Sequence, residues 1–211
     1  MSVWDERADA YRSSEEHSKG EDLDLVVEWA AGARTALDVA TGGGHVARRL
    51  REEGIEVVSC DPAPGMRADV VCSAEDLPFA EASFDVVASR LGGHHFQDVR
   101  AGVSEMARVA RGLVIVVDNL WVNEAGEKAN HLRDPSHVRN YTEEEWRELF
   151  DQAGLEVEEA RTMERAIRFE PWLERTGCVG GEAERVRELL AGRIDDGLYR
   201  LDRIALKGRK L

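Results

Sequence analysis

The sequence contains few cysteines, prolines or aromatic residues. In 211 residues there are three cysteines, five prolines and 6% aromatic side chains. Three widely spaced cysteines fit neither a paired disulfide framework nor a cysteine-rich metal site. We therefore expect Cys60, Cys72 and Cys178 to be reduced thiols, with the first two in the core. Reduced cysteines are usual in a cytoplasmic protein, which is the setting we expect.

Long apolar runs and basic patches are also missing. No apolar run approaches the roughly 20 residues that a membrane-spanning helix needs, and residues 1–20 are too polar for a signal peptide. The chain has 42 acidic and 28 basic side chains, a formal net charge of −14. Nucleic-acid backbones attract basic surfaces, so we expect neither a nucleic-acid partner nor stable membrane insertion. The sequence carries no signal for an oligomeric state.

From residue 35 onward, short apolar runs alternate with helical patterns. The runs are Thr35–Val39, Glu56–Cys60, Ala68–Cys72, Phe84–Ser89 and Leu113–Asp118. Such a pattern predicts a parallel sheet that is covered by helices on both faces. A helix, a strand (155–163), a helix and a last strand (201–206) follow, in an order that can form a reversed hairpin at the sheet edge. Since no linker interrupts the sequence, we expect residues 1–211 to form a single domain.

The most informative segment is 36–47, ALDVATGGGHVA, in which a strand ends in a glycine turn that leads into a helix. Glycine lets backbone amides approach a ligand closely, and the helix start presents unpaired N–H groups. Gly42, Gly44 and Ala47 fit the G-x-G-x-x-A dinucleotide pattern, with Asp61 near the offset of a ribose-binding acid. An NAD(P)-dependent oxidoreductase is therefore one candidate.

S-adenosylmethionine is the other candidate ligand for this turn. Asp38, four residues before Gly42, would repel a pyrophosphate but tolerate a sulfonium and an ammonium group.

Only eight residues, 62–69, separate the second and third apolar runs, whereas a parallel crossover normally takes a dozen or more. We predict that the crossover helix is missing and that this side of the cofactor cleft is unusually open.

Six short motifs between residues 37 and 109 carry a resemblance to a known family. They are LDVATGGG (37–44), VVSCDP (57–62), SAEDLPF (73–79), SFDVV (83–87), HHF (94–96) and EMARV (105–109). In this order they resemble the class I S-adenosylmethionine-dependent methyltransferases, in the group of the ubiquinone/menaquinone C-methyltransferases. The resemblance implies a Rossmann-like three-layer α/β/α sandwich on a seven-stranded, mostly parallel sheet with its last strand antiparallel. It also implies methyl transfer from S-adenosylmethionine to a small-molecule acceptor, leaving S-adenosylhomocysteine.

The same resemblance implies a cofactor site at the ends of the strands. Its residues are Asp38, Ala40, Thr41, Gly42 and Gly44 around the methionine part, Asp61 and Pro62 at the ribose, Ser73, Ala74 and Glu75 at the adenine, Arg90 and Leu91 beside the methyl group, and Tyr11 and His17 from an N-terminal helical cap (1–34). Methyl transfer leaves no obligatory catalytic signature in a sequence. A non-catalytic protein that only binds S-adenosylmethionine therefore stays open as an alternative.

Adjacent histidines follow the fourth strand and allow two interpretations. His95, or failing that His94, would act as a general base if the acceptor must lose a proton, because histidine titrates near neutral pH. Alternatively, the two side chains only shape the wall of the pocket.

Residues 119–141 form a long polar insertion after the fifth strand, where substrate selectivity often lies. We expect it to be a substrate lid, and its candidate acceptor-binding residues are Trp121, Arg133, His137, Arg139 and Tyr141. The alternative is a solvated connection whose arginines pair with nearby acids. His131 and His137 are six residues apart with no adjacent acidic triad, so we expect no metal site.

Overall fold

The computed structural model describes residues 3–211, without the side chains of residues 3–7, 15 and 16. Trp4, which the sequence places on one helical face with Ala8 and Tyr11, therefore lies outside the described side chains. The helices are α1 (Val3–Arg12), α2 (Glu15–Ser18), α3 (Glu21–Trp29), α4 (His45–Glu52), α5 (Val99–Val109), α6 (Glu124–Arg133), α7 (Glu143–Gln152), α8 (Phe169–Glu174) and α9 (Gly180–Leu190). The strands are β1 (Thr35–Val39), β2 (Glu56–Asp61), β3 (Val70–Val71), β4 (Phe84–Arg90), β5 (Ala110–Asn119), β6 (Leu155–Arg168), β7 (Ile194–Asp195) and β8 (Leu198–Lys210).

Seven of the strands form one continuous sheet in the order β3-β2-β1-β4-β5-β8-β6. The first five pair in parallel, and β8 is antiparallel to both β5 and β6. The two-residue β7 pairs with β8 beside this path. The predicted seven-stranded sheet with a reversed last strand is confirmed. The strand order turns back between β1 and β4, so a cleft is expected at the carboxyl ends of these strands.

Helices cover both faces of the sheet, as predicted. On one face, Leu23 and Val26 of α3 and Leu50 of α4 are buried against the strands. On the other, Met106 of α5 and Phe150 of α7 fill a second core. Across the described residues 3–211, no helix is long and apolar enough to cross a membrane.

The connection from β2 to β3 contains only a 3₁₀ turn, Pro64–Met66, so the predicted absence of a crossover α-helix is confirmed. The third strand is shorter than predicted, with only Val70 and Val71 paired. The expectation of an open side was wrong at this loop, because α1 packs over it. Ala8 and Met66 belong to one buried apolar cluster, and Arg12 Nη1 donates a hydrogen bond of 2.6 Å to the carbonyl oxygen of Gly65.

The C-terminal hairpin is longer than predicted. Strands β6 and β8 pair from Leu155–Lys210 to Arg168–Leu198. The far end of this hairpin packs with α6, α8 and α9 around a third apolar cluster, which includes Trp172 and Tyr199. Within residues 119–141, Ala129 and Leu132 of α6 pack against this cluster. Both the substrate lid and the solvated connection stay predictions for this segment.

Candidate functional site

A cavity of about 490 Å³ opens at the carboxyl ends of β1, β2 and β4; we call it the central cavity. Of the cofactor residues that the sequence analysis names, all but Gly44 line it. These are Tyr11, His17, Asp38, Ala40, Thr41, Gly42, Asp61, Pro62, Ser73, Ala74, Glu75, Arg90 and Leu91. Gly44 instead precedes α4 as its N-cap. One connected space thus brings together segments spread over 80 residues of sequence, from Tyr11 to Leu91.

The glycine turn is held by a carboxylate of the neighbouring strand. Asp61 Oδ2 accepts a hydrogen bond of 3.0 Å from the backbone N–H of Gly42, and Asp61 Oδ1 accepts one of 3.0 Å from the N–H of Ala63. Gly42 has a φ of +50°, in the left-handed region that glycine adopts readily. A Cβ on Gly43 would lie 2.5 Å from the carbonyl oxygen of Tyr11. Glycine at this position therefore lets the end of α1 close onto the turn.

Two residues other than glycine that line the central cavity also have a positive φ. Ala40 has a φ of +54° at the end of β1, and Leu91 has a φ of +59° at the end of β4. Left-handed backbone costs free energy in side-chain-bearing residues and is found where a ligand site needs it. Both strained residues line the central cavity.

Asp38 is a buried carboxylic acid under the glycine turn. Its Oδ2 accepts hydrogen bonds from Thr41 Oγ1 at 2.5 Å and from the backbone N–H of Ala47 at 3.0 Å. Burial raises the pKa of Asp38 to about 6, against the lowering effect of these two hydrogen bonds. Asp38 and Asp61 together place two acids at the turn. Two acids suit the cationic methionine part and the ribose diol of S-adenosylmethionine, and they would repel the diphosphate of a dinucleotide. The residues present therefore fit S-adenosylmethionine better than a dinucleotide.

Replacing Asp38 with Asn should change how stability depends on pH. The pKa of Asp38 rises from its ordinary 3.8 to about 6 on folding. Its contribution to stability is therefore fully present below pH 3.8 and is lost as the pH rises through about 6. Asn cannot ionise, so the free energy of unfolding of Asp38→Asn relative to wild type should rise by about 2 kcal/mol between about pH 4.5 and pH 7.5. Urea unfolding of the ligand-free chain measures this, and a pH-independent difference would contradict the assignment.

A buried ion cluster fixes the N-terminal segment over the central cavity. Arg90 Nε donates to Asp22 Oδ2 at 2.7 Å, and Arg203 Nη1 donates to the same oxygen at 3.0 Å. Arg90 Nη1 also donates to the carbonyl oxygen of His17 at 2.8 Å. Burial would raise the pKa of Asp22, but the charges of Arg90 and Arg203 hold it below its ordinary value. Arg90 therefore ties α2 and α3 to the end of β4.

The paired histidines have different partners. His94 Nδ1 donates to the carboxylate of Asp118 at 2.5 Å, and the His94 backbone N–H donates to the other carboxylate oxygen at 2.8 Å. Burial would raise the pKa of Asp118, but the charge and hydrogen bonds of His94 keep it lowered. His95 Nδ1 donates to the carbonyl oxygen of Ser136 at 3.0 Å. Burial and the neighbouring His94 lower the pKa of His95 to about 3, so its ring is neutral and only weakly basic.

A second cavity, of about 220 Å³, lies behind the two histidines; we call it the lateral cavity. It lies among α6, α8, β8 and the turn that follows α6. Its lining includes His94, His95, His137, Asn119, Glu127, Asn130, Arg133, Asn140, Trp172 and Tyr199. His95 and His137 also line the central cavity, so they form part of the wall between the two.

A smaller space of about 60 Å³ lies between the two cavities and shares lining residues with both. Tyr11 and Leu91 line both this space and the central cavity. His94, Arg133 and Trp172 line both this space and the lateral cavity. We call it the connecting cavity.

The predicted acceptor-binding residues fall into two groups. His137 and Arg133 line the lateral cavity, and the guanidinium of Arg133 lies 4.1 Å above the ring of Trp172. Trp121, Arg139 and Tyr141 line neither the central nor the lateral cavity. Arg139 pairs with Glu145, and the ring of Tyr141 packs against Trp146 in the core below. The positions of Trp121, Arg139 and Tyr141 give no support to acceptor binding.

Sequence reasoning missed Asp22 and Asp118 as residues that build the site. The sequence could have identified Asp118 as a site residue, because it is an acid at the end of a parallel strand. For Trp172 the sequence allows either a wall of the acceptor pocket or, as the preferred interpretation, a core anchor. Its side chain is buried and also lines the lateral cavity. Glu75 also has a structural task, because its Oε1 accepts a hydrogen bond of 2.8 Å from the N–H of Gln97.

Comparison with known proteins gives a consistent result. A family model described as a methyltransferase domain matches residues 37–116. A Bacillus subtilis (strain 168) protein named "Uncharacterized methyltransferase YcgJ" is 30% identical over 208 residues, covering 87% of this chain and 81% of that protein. The crystal structure of the YcgJ protein superposes with a TM-score of 0.80 at 25% identity, covering 90% of this chain and 97% of the other.

A demethylmenaquinone methyltransferase from Beutenbergia cavernae is also similar. It is 38% identical over 104 residues, which are 42% of this chain and 43% of that protein. The similarity covers less than half of either protein, so the acceptor in that name is not assigned to this chain.

Proposed function

The chain belongs to the class I S-adenosylmethionine-dependent methyltransferases, and we propose that it methylates a small molecule held in the lateral cavity. S-adenosylmethionine, the cofactor of this family, supplies a methyl group on a positively charged sulfur and leaves as S-adenosylhomocysteine. The family assignment displaces the NAD(P)-dependent oxidoreductase. The observation that carries the proposal is the connecting cavity, which shares lining residues with the central cavity and with the lateral cavity. A cytoplasmic setting is part of the proposal, supported by the three free cysteines.

We assign cofactor binding to the residues that line the central cavity. Asp61 lies at the carboxyl end of β2, where its oxygens accept the backbone N–H groups of Gly42 and Ala63. A carboxylate oxygen can accept more than one hydrogen bond, so we assign the ribose hydroxyls to Asp61. Asp38 lies under the turn, where its negative charge favours the cationic methionine part. The carboxylate of Glu75 is used to hold the turn at Gln97. We therefore assign hydrogen bonding to the adenine to the backbone groups of residues 73–75.

The lateral cavity suits a small acceptor with both a flat apolar part and polar substituents. Trp172 and Tyr199 offer aromatic surface, while Asn119, Asn130 and Arg133 offer hydrogen-bonding groups. A ligand there needs only to extend one nucleophilic atom through the connecting cavity. Alignment of that atom and exclusion of water are then the main contributions of the protein.

The two histidines take different roles in this proposal. If the acceptor must lose a proton, His94 is the better base, because Asp118 accepts its Nδ1–H and thereby leaves the Nε2 lone pair as the basic site. The lowered pKa of His95 makes it a weak base. We assign His95 to hydrogen bonding at the wall between the cavities, which reverses the sequence-based preference for His95.

An acceptor screen tests this proposal. Small phenols, quinols, carboxylic acids and amines are incubated with S-adenosylmethionine, and S-adenosylhomocysteine and methylated product are measured by mass spectrometry. Once an acceptor is found, Gly126→Leu should reduce turnover at least tenfold, because Gly126 lines the lateral cavity and a Cβ there has only Asn123 Oδ1, at 3.6 Å, within contact distance. Affinity for S-adenosylhomocysteine should not change.

Gly181→Leu is the matched control, since Gly181 is exposed on α9 and its Cβ would meet no atom within 4 Å. In the same assay His94→Gln and His95→Gln should lower turnover at unchanged affinity for S-adenosylhomocysteine, and unchanged turnover would remove the roles given to them. Full turnover in Gly126→Leu would contradict the lateral cavity as the acceptor site. Binding of S-adenosylhomocysteine without turnover of any acceptor would favour the non-catalytic alternative.

A further inference from the structure

Three side chains with metal-binding chemistry meet at the edge of the lateral cavity, and the proposed methyl transfer does not use them. They are Glu127 and His131 of α6 and His137 of the turn that follows. Glu127 Oε1 lies 2.8 Å from His137 Nε2 and 3.8 Å from His131 Nε2, and all three ligand atoms lie within 4.8 Å of one another. The sequence spacing did not predict this cluster, because the chain turns back after α6 and returns His137 to the helix.

We propose that Glu127, His131 and His137 bind a divalent first-row transition metal ion of the Zn²⁺ or Co²⁺ type. Imidazole nitrogens and carboxylate oxygens bind Zn²⁺ at about 2.0–2.2 Å, so two ligand atoms of a tetrahedral site lie about 3.3 Å apart. The two observed distances fall on either side of this value, and the third, between the two imidazole nitrogens, is at most 4.8 Å. Side-chain movements of about 1 Å would therefore form the site. Two imidazoles favour these ions over Mg²⁺ and Ca²⁺, which prefer oxygen ligands.

A buried amide provides the second observation that points to a ligand. The Asn140 backbone N–H donates to Glu127 Oε1 at 3.1 Å, and Asn140 Nδ2 donates to Glu127 Oε2 at 3.3 Å. Outer contacts of this kind orient a metal-binding carboxylate. Asn140 is 3% exposed and lines the lateral cavity, yet among the described residues its Oδ1 has no hydrogen-bond partner. A water molecule on the open fourth position of the ion would supply the missing donor.

Access and rigidity both fit a site that exchanges its ion with solvent. The side chain of His131 is 51% exposed, so an ion can reach the cluster from outside. His137 and Glu127 are largely buried and hold each other in place. The alternative is a buried Glu127–His137 hydrogen bond with an unrelated surface histidine. Ion binding distinguishes the two and does not depend on methyl transfer.

The test is a titration of the metal-stripped, full-length chain, without a histidine tag, with Co²⁺. We expect one equivalent to bind and to produce visible absorption bands of a nitrogen-bound Co²⁺, with Zn²⁺ displacing it and Mg²⁺ having no effect. His131→Gln and Glu127→Gln should each weaken Co²⁺ binding at least tenfold. Asn140→Ala should weaken it about tenfold, the lower end of the effect of losing an outer contact.

Glu124→Gln is the matched control, because Glu124 is an exposed acid on the same helix and outside the cluster. His131 is largely exposed, so His131→Gln should fold normally, which circular dichroism checks. Absence of stoichiometric Co²⁺ binding would overturn the proposal. Binding that is equal in His131→Gln, Glu127→Gln and Glu124→Gln would also overturn it, as would equal competition by Mg²⁺.

Discussion

Asp61→Ala is expected to weaken binding of S-adenosylhomocysteine by at least 100-fold. In our proposal, the carboxylate accepts hydrogen bonds from both ribose hydroxyls, each worth about 1.5–3 kcal/mol when the acceptor is charged. The sum, about 3–6 kcal/mol, corresponds to a loss of roughly 100- to 20,000-fold in affinity. The same substitution leaves the backbone N–H groups of Gly42 and Ala63 without their acceptor. The glycine turn should therefore also lose its fixed shape.

Isothermal titration calorimetry with S-adenosylhomocysteine measures this loss. Asp69→Ala is the matched control, because Asp69 also accepts a hydrogen bond from a backbone N–H of β2, that of Ser59 at 2.8 Å. Asp69 lines a different cavity, on the far side of the glycine turn, so its loss should leave affinity within about threefold of wild type. Asp61→Ala binding with near wild-type affinity would contradict the ribose assignment. NAD(P) should not bind, and if it does the oxidoreductase interpretation returns.

Asp22→Ala is expected to lower the free energy of unfolding by about 3–5 kcal/mol, the usual cost of removing one partner from a buried ion pair. Asp22 is fully buried, and its Oδ2 accepts hydrogen bonds from both Arg90 and Arg203. Without it, two buried guanidinium groups lose their counter-charge. Burial already lowers the pKa of Arg203 to about 10, so this side chain remains charged at neutral pH and is costly to leave unpaired.

Urea unfolding at neutral pH measures this effect. Asp24→Ala is the matched control, because Asp24 is also an acid in the first turn of α3 and also pairs with an arginine, Arg49, at 3.1 Å. The Asp24 side chain is 63% exposed, and exposed pairs contribute about 0–1 kcal/mol. Equal destabilisation by the two substitutions would contradict the role of the buried cluster. We also expect Asp22→Ala to weaken cofactor binding, since Arg90 then holds His17 less firmly over the central cavity.

The part of the fold that local patterns determine was predictable from the sequence. The runs that became β1, β2 and β4 are apolar because both faces of a parallel strand are covered. Thr142 followed three residues later by Glu145 is a capping-box pattern that local sequence reveals, and this capping box begins α7 in the structure. Residues at the carboxyl ends of parallel strands meet at one edge of a sheet. Together with the resemblance to a known family, this rule brings Asp38, Asp61 and Arg90 together in one predicted cofactor site.

The parts that depend on distant contacts could not be predicted. Asp22 and Arg203 are 181 positions apart in sequence, and no local pattern pairs them. The last third of β6 is ERAIR (164–168). Its charged residues interrupt the apolar pattern from which a strand is predicted, because one side of this end of the hairpin faces solvent. His137 reaches Glu127 only because the chain reverses after α6. For the same reason, the spacing of the histidines in sequence does not predict the metal-binding cluster.

A crystal structure with S-adenosylhomocysteine tests the central claim most directly. We expect the ribose hydroxyls within hydrogen-bond distance of Asp61, the adenine beside residues 73–75, and the sulfur next to Leu91, with its open side toward the connecting cavity and His95. A sulfur atom turned away from the connecting cavity would contradict the account of methyl transfer into the lateral cavity. A nucleoside bound outside the central cavity would contradict the site itself.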